Sequence, residues 1–344
     1  YRPRQFEYHP TRPGLLVYGT LQGEVVVLDH RTGEVLAENE HVSAANDSVL
    51  ALCWLHGDTE TRFVAGSSSG VIKLCDCAPG LSTRRSLLRW SPCAVTLLAG
   101  GEVSAPGSPS ITTTSHFPEF EDLTSVHLNS TDQWLVTSGY SQSVCIYDLA
   151  TGKLAREFEN IHERHINITR FANHSPNLFA SSSFDKTIKV WDMRTKAVQP
   201  NYVCSSENSV VMLCFSPDDL YLLTSAVDNE VRQYSTLDGR LQMELAMEKT
   251  GRDDNFTRSY YMNGGDVIVS GSSEEDTVRL HSARTGDLLY NAQLYFGRKH
   301  PSLYIQSLRG DPHKDFSFSV LVNHRDAASL EIIKLDCNTD MEGA

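Results

Sequence analysis

Long apolar runs are missing from this sequence of 344 residues. No stretch reaches the roughly 18 or more apolar residues that a membrane-spanning helix requires, so we expect no membrane segment. Basic residues are also fewer than acidic ones. The sequence has 30 Lys and Arg but 43 Asp and Glu, which gives a net charge of −13. A phosphate-binding surface needs that balance reversed locally, and the composition therefore argues against nucleic acid as a partner.

Basic side chains cluster in only two short places. One cluster is Arg84, Arg85 and Arg89, and the other lies at residues 298–300. Because both clusters are small, far apart in the sequence and set in an acidic chain, we interpret them as solvated surface and not as a DNA contact.

The cysteine pairs of metal sites and secreted scaffolds are also absent. The eight cysteines stand mostly alone inside apolar runs, where a thiol behaves as a small buried hydrophobe. The close pair Cys75 and Cys77 has a spacing that chelates a metal poorly. Asp311, His313 and Asp315 resemble metal ligands, but a polar turn explains them more simply. We therefore expect a reducing intracellular compartment and no bound metal.

Signatures of catalysis and of cofactor binding are missing too. The sequence has no phosphate-binding loop and no dinucleotide-binding glycine motif. Residues 66–70 fit the letters of a hydrolase nucleophile elbow, but they stand in a hairpin pattern and not between a strand and a helix. The sequence thus predicts a protein without catalytic residues or a cofactor.

What the sequence does contain is a repeat. An apolar run, a second run that ends in small residues, a tight polar turn and a third β-branched run recur along the chain. The alternation around each turn is typical of a β-hairpin, and another strand-like run precedes each hairpin. The copies lie at 15–38, 63–76, 134–159, 178–194, 221–245 and 267–292, with a weaker seventh at 316–323 and 330–336.

This repeat predicts an all-β protein. Four short antiparallel strands per unit, about 40 to 45 residues apart, are typical of propeller blades. We expect one seven-bladed β-propeller domain over 1–344, with no amphipathic helix of ordinary length. A segment rich in Ser, Pro, Gly and Thr at about 79–121 predicts a flexible surface insertion or, alternatively, a regulatory or partner-docking loop.

The fourth unit reads SSSFDKTIKVWDMR over 181–194 and resembles the WD-repeat family. The resemblance implies a hydrogen-bond network of His162, Ser181 or Ser183, Asp185 and Trp191, in which the carboxylate orients the imidazole. A buried His and a buried Trp need partners for their ring N–H groups, which gives the network a physical reason. The other units depart from this pattern, and we expect them to hold together by packing alone.

The tetrapeptide WDMR at 191–194 resembles the DWD box of substrate receptors for cullin-four ubiquitin ligases. The resemblance implies a set of residues that bind the damaged-DNA-binding (DDB) adaptor subunit, namely Asp185, Lys186, Trp191, Asp192 and Arg194. Arg194 would be the exposed anchor, since its planar guanidinium suits interface contacts, and Trp191 would support it from inside. Alternatively, the tetrapeptide occurs by chance and Arg194 is simply solvated.

Wider segments at 2–10, 173–186, 214–233 and 258–272 resemble a plant receptor of the same class. This resemblance implies a non-catalytic substrate receptor in UV-B light signalling, in the nucleus, the cytoplasm or both, with a protein target that the sequence leaves open. The alternative is a generic WD-repeat scaffold without a link to a ubiquitin ligase. An enzyme that uses the central channel would require acids, His and a metal at the channel mouth.

Overall fold

The computed structural model describes residues 3–39, 41–43, 47–57, 61–77, 88–91, 94–97, 110–196, 198–294, 303–324 and 329–337. Within these ranges the regular secondary structure is almost entirely β-strand, and the strands form seven blade sheets and one separate hairpin. A short 3-10 turn at Asn263–Gly265 is the one helical element that they contain. No helix in these ranges has the length and apolar character that crossing a membrane requires.

Blades one to four follow the chain in order. Blade one contains β1 (Pro3–Tyr8), β2 (Leu15–Thr20), β3 (Val25–Asp29) and β4 (Glu34–Asn39). Blade two contains β5 (Val49–Trp54), β6 (Arg62–Ser67), β7 (Ile72–Asp76) and β10 (Thr112–His116), and the separate hairpin of β8 (Leu88–Ser91) and β9 (Ala94–Leu97) lies between the last two in sequence. Blade three contains β11 (Leu123–Leu128), β12 (Trp134–Gly139), β13 (Val144–Asp148) and β14 (Leu154–Phe158), and blade four contains β15 (Ile166–Phe171), β16 (Leu178–Ser183), β17 (Thr187–Asp192) and β18 (Tyr202–Ser205).

Blades five to seven continue the same arrangement. Blade five contains β19 (Val210–Phe215), β20 (Tyr221–Ala226), β21 (Val231–Ser235) and β22 (Leu241–Glu244). Blade six contains β23 (Thr257–Met262), β24 (Val267–Ser272), β25 (Thr277–Ser282) and β26 (Leu288–Gln293). Blade seven contains β27 (Leu303–Gly310), β28 (Ser317–His324) and β29 (Ser329–Asp336). The seven-bladed β-propeller predicted from the repeat is thereby confirmed. Six blades have four strands and the seventh has three in the described ranges, with β9 lying close to β29.

Strand direction defines the two faces of the propeller. Neighbouring strands of a blade are antiparallel, so the first and third strands run in the same direction. We call the face where the first strands begin the entry face, and the face where the first and third strands end the exit face. The first strands line a central channel.

The second blade differs from its prediction at the outer edge. Strand β10 (Thr112–His116) pairs with β7 as the fourth strand of that blade, so the C-terminal part of the predicted 79–121 insertion belongs to the sheet. Close packing fixes this return of the chain, because a Cβ on Gly70 would lie 1.9 Å from the carbonyl oxygen of Phe120. Residues 78–87, 92–93 and 98–109 lie outside the described ranges, and the predicted flexibility of the insertion stays a prediction.

The apolar core lies between consecutive blades. One cluster joins blades three and four through Val136, Phe158, Phe179 and Trp191. Another joins the first and last blades through residues such as Tyr18 and Leu321, which closes the ring.

Polar contacts support the same closure. The hydroxyls of Tyr8 and Ser319 are 2.5 Å apart, and Arg309 forms an ion pair with Glu7 at 2.6 Å. The first and last blades are therefore joined by both apolar and polar contacts among the described residues.

Candidate partner-docking site

The five residues predicted to bind an adaptor do not form one surface. Asp185 and Lys186 lie in the turn before β17 at the entry face, whereas Asp192 and Arg194 follow at its other end, at the exit face. A strand of this length spans about 17 Å, and Trp191 within it is only 2% exposed. The strand therefore separates the predicted residues into two groups, and adaptor binding by the full set stays a prediction.

Four of the residues predicted for the structural network are joined by hydrogen bonds. Trp191 Nε1 donates to Ser181 Oγ at 2.9 Å, and Ser181 Oγ lies 2.8 Å from His162 Nε2. His162 Nδ1 lies 2.9 Å from Asp185 Oδ2. Since the Ser181 oxygen accepts from the indole, its own proton points to Nε2, and the imidazole donates from Nδ1 to the carboxylate. Every donor in the series thus has an acceptor.

The carboxylate end of this network includes a residue that the sequence reasoning missed. Thr187 donates its backbone N–H and its hydroxyl to Asp185 Oδ1, at 2.8 and 2.6 Å. A Thr two residues after an Asp in a turn is the available signal for this contact. Ser183 contacts the network through the backbone, since its Oγ accepts the Asp185 N–H at 3.1 Å, and its hydroxyl donates to the carbonyl oxygens of Arg164 and His165.

The network sets the protonation of its two titratable members. Burial lowers the pKa of His162, against the opposing effect of Asp185, so the imidazole stays neutral at neutral pH. Burial alone would raise the pKa of Asp185, but hydrogen bonds from His162 and Thr187 outweigh it and hold that pKa well below its usual range. A neutral imidazole against a charged carboxylate fixes the ring orientation.

Arg194 is exposed in a turn at the exit face, residues 192–196, which we call the docking turn. Its side chain is 74% exposed, and its Nε and Nη2 donate to the two carboxylate oxygens of Asp192 at 2.9 and 2.6 Å. This pairing lowers the pKa of Asp192. A guanidinium has five N–H groups, so three of them point away from Asp192 and can contact a partner.

Two further contacts hold the docking turn in place. Arg156 from the outer strand of blade three donates to the carbonyl oxygens of Met193 and Thr195, both at 2.8 Å. Met193 also donates its backbone N–H to the carbonyl oxygen of Asn177 at 2.8 Å. Arg194 is thus presented on a backbone that two neighbouring segments fix.

Exposed apolar side chains also lie at the exit face, on the face that carries the docking turn. Val198 is 51% exposed, and Leu220 and Leu237 in turns of blade five at the same face are 60% and 90% exposed. Tyr202 of blade four donates to the carbonyl oxygen of Thr236 at 2.6 Å, which places the turn of Leu237 against blade four. Apolar exposure rimmed by charge is typical of an interaction surface.

Blade one carries the same arrangement as the docking turn. Arg31 donates its backbone N–H and Nε to Asp29 Oδ1, at 2.8 and 3.1 Å, and its Nη2 to Oδ2 at 2.8 Å. Its side chain is 57% exposed. The signal in the sequence is the Asp-x-Arg spacing that Asp29 and Arg31 share with Asp192 and Arg194.

The expectation that the other blades hold together by packing alone is wrong for blade five. Glu230, which is 2% exposed, accepts hydrogen bonds from the Ser206 hydroxyl and from two backbone N–H groups of the preceding loop. It also pairs with Arg232 at 3.0 Å. A buried carboxylate therefore ties this turn to the preceding loop, as Asp185 does in blade four.

The remaining sequence candidates form no chemical site in the described ranges. No group of three or more possible metal ligands occurs there. Asp311 pairs with Lys334 at 3.4 Å and accepts the His313 backbone N–H at 3.0 Å, as a polar turn would. Residues 66–70 lie in the hairpin of β6 and β7. Arg84, Arg85, Arg298, Lys299 and His300 lie outside the described ranges, as does the side chain of Arg89.

Comparison with known proteins agrees with this geometry. The family model "WD domain, G-beta repeat" matches residues 107–148, 157–192 and 199–235. The Arabidopsis thaliana protein named DWD HYPERSENSITIVE TO UV-B 1 is 45% identical over 97% of this chain, which spans 40% of that protein's length. DNA damage-binding protein 2 of Danio rerio is 22% identical over 83% of this chain and 52% of its own length.

A solved structure shows the same fold at low identity. Raptor of Chaetomium thermophilum superimposes with a TM-score of 0.77 at 12% identity, over 98% of this chain and 28% of that one. At this identity the similarity concerns the fold alone. Three observations agree, namely the seven sheets, the hydrogen bonds that join His162, Ser181, Asp185 and Trp191, and these matches. We conclude that the chain is a seven-bladed WD-repeat β-propeller.

Proposed function

We propose that this protein is a non-catalytic substrate receptor that docks onto the DDB adaptor of a cullin-four ubiquitin ligase. The observation that carries the proposal is the exposed guanidinium of Arg194, 74% accessible on a turn fixed by its neighbours. Arg194 and Asp192 make the contact, and Trp191 supports the turn from inside. Asp185 acts within the blade, while Lys186 lies on the other face and does not take part.

Two relatives support this proposal. One is named for the DWD motif and for hypersensitivity to UV-B, and the other is named a DNA damage-binding protein. By analogy with the first, the receptor works in UV-B signalling in a plant nucleus, cytoplasm or both. This part of the proposal rests on similarity and not on a site.

The function of such a receptor is to bring proteins together. The propeller holds a target protein near a ubiquitin-charged enzyme that other subunits supply, which raises the effective concentration of the target's lysines. In this proposal the propeller itself makes or breaks no covalent bond.

One observation favours the alternative of a generic scaffold. The Asp29–Arg31 pair on blade one repeats the geometry of the docking turn. An Asp–Arg pair of this kind can therefore stabilise a turn without binding a partner. What distinguishes the docking turn is its surroundings, namely Arg156 behind it and exposed apolar side chains on the same face.

Complex formation with purified adaptor tests the proposal. The wild-type propeller should co-elute with the adaptor in size-exclusion chromatography, and so should Arg31→Glu. Arg194→Glu should elute separately, since the substitution reverses the charge at the centre of the contact. If neither the wild type nor Arg194→Glu co-elutes, the scaffold alternative is favoured, and if both co-elute, the docking turn is not the contact.

A further inference from the structure

Arginines line the central channel although the chain is acidic overall. Arg4, Arg170 and Arg258, on three different blades, border a cavity of about 180 Å³. That volume has room for roughly six waters. Because these residues are far apart in the sequence, the clustering exists only in the folded ring.

Deeper in the channel, cations share one carboxylate. Glu7 lies 2.6 Å from Arg309 and 3.9 Å from Arg170. The guanidinium of Arg309 also lies 3.8 Å above the ring of Tyr260. The charge of Arg309 therefore has partners in the protein, and Glu7 is already paired in the deeper part of the channel.

Arg4 and Arg258 stand nearer the entry face, since each is the second residue of a first strand. Arg258 donates from Nη1 to the carbonyl oxygen of Gln306 at 2.6 Å. Burial, and then the nearby charges of Arg4 and Arg309, lower the pKa of Arg258 to about 10. Two partly buried cations that repel each other at a channel mouth are costly unless an anion compensates them.

The acidic residues at this mouth are already engaged. Asp254 and Glu274 border an adjoining cavity together with Arg4 and Arg258. Arg252 binds both of these carboxylates, at 3.1 and 2.9 Å. Because Arg252 shares both carboxylates, they offset the charges of Arg4 and Arg258 only in part.

An aromatic side chain completes the rim. Tyr140 borders the same cavity as Arg4 and Arg258, and it is 62% exposed. Its ring stacks on His165 with a centroid separation of 4.9 Å. An exposed, stacked tyrosine beside guanidinium groups offers both apolar area and hydrogen bonding to a ligand.

We propose that Arg4 and Arg258 form a binding site for an anionic group, a phosphate or a carboxylate, at the entry-face mouth of the channel. Guanidinium groups bind both oxyanions through paired N–H donors, and the partly buried setting strengthens such contacts. The site lies at the opposite face from the docking turn, so it stands whether or not the adaptor binds there.

Two probes identify the source of the anion. Inorganic phosphate is titrated into the intact protein by calorimetry, and a fluorescein-labelled hexaglutamate peptide is titrated by fluorescence anisotropy. Arg4→Gln and Arg258→Gln are compared with Arg240→Gln, which removes one positive charge from a side chain 77% exposed at the exit face. We expect at least tenfold weaker binding in the first two variants and unchanged binding in the third.

The arms of the experiment separate the possible results. Binding of phosphate alone assigns the site to a small ion, and binding of both probes assigns it to acidic side chains of a protein. If Arg258→Gln fails to fold by circular dichroism, Arg4→Gln decides. The proposal is overturned if neither probe binds the wild type, or if both channel variants bind the probes as tightly as the wild type.

Discussion

The guanidinium of Arg156 in blade three donates a 2.8 Å hydrogen bond to the carbonyl oxygen of Met193 in blade four. The same guanidinium lies 4.2 Å above the ring of Phe158, which holds it in place. An arginine of one blade thus positions the turn that presents the candidate docking arginine of the next. Positioning of this kind reduces the conformational entropy that binding would otherwise cost.

Replacing Arg156 tests that role. Arg156→Met should lower the free energy of unfolding by about 1 kcal/mol, because two hydrogen bonds to the docking turn are lost. It should also weaken adaptor binding several-fold while leaving Arg194 in place. The two quantities are measured by urea unfolding and by calorimetry with purified adaptor. Lys153→Met, which removes an exposed cation just before the same strand, is the control, and an equal effect of both substitutions would refute the role.

Trp191 should contribute through both packing and its indole N–H. Trp191→Ala should destabilise the fold by roughly 3 to 5 kcal/mol, since it leaves a cavity between blades three and four and an incomplete network. Trp191→Phe keeps most of the packing and removes only the donor to Ser181, so its cost should be about 1 kcal/mol. Urea unfolding measures both. Equal stability of Trp191→Ala and the wild type would remove the network from the account.

His281 should make stability depend on pH. It is 1% exposed, neither ring nitrogen has a partner among the described residues, and burial, then Arg279, lowers its pKa to about 4. Between about pH 6.5 and 4 the unfolded chain therefore binds a proton that the folded chain does not, so stability falls as the pH falls.

His281→Phe removes this titration. The variant should lose about 2 kcal/mol less than the wild type between pH 7 and pH 5, as measured by urea unfolding at both values. His116→Phe, at an exposed position of β10, is the control and should follow the wild type. Identical pH profiles for His281→Phe and the wild type would show that His281 does not titrate in this range.

The blades were predictable from the sequence because their information is local. Period-two alternation and tight turns place the second and third strands of each unit, and the hydrogen-bonded residues of blade four lie within about one repeat length. Strand β10 was missed because Ser, Thr and Pro content was taken as a loop signal, although the run at 112–116 is rich in Thr, which favours strands. There, pairing to β7 decides the structure.

The surfaces were less predictable because they combine distant segments. Arg156 and Met193 come from different blades, and Arg4 and Arg258 meet only because the ring closes. Searching the sequence for basic clusters finds neighbours along the chain, and it cannot find charges that converge in a channel. The separation of the five predicted docking residues between two faces was hidden for a related reason, since sequence proximity around Trp191 conceals the length of β17.

The affinity of purified adaptor for Arg194→Ala, compared with Arg31→Ala, tests the docking proposal most directly. Arg194→Ala should bind about thirtyfold more weakly than the wild type, a loss of roughly 2 kcal/mol, while its stability changes by no more than about 0.5 kcal/mol. Arg31→Ala removes a guanidinium of matching geometry and should bind like the wild type, and Arg194→Lys should recover only part of the loss. Equal affinity of the wild type and Arg194→Ala, or an equal loss in Arg31→Ala, would contradict the assignment of the docking turn.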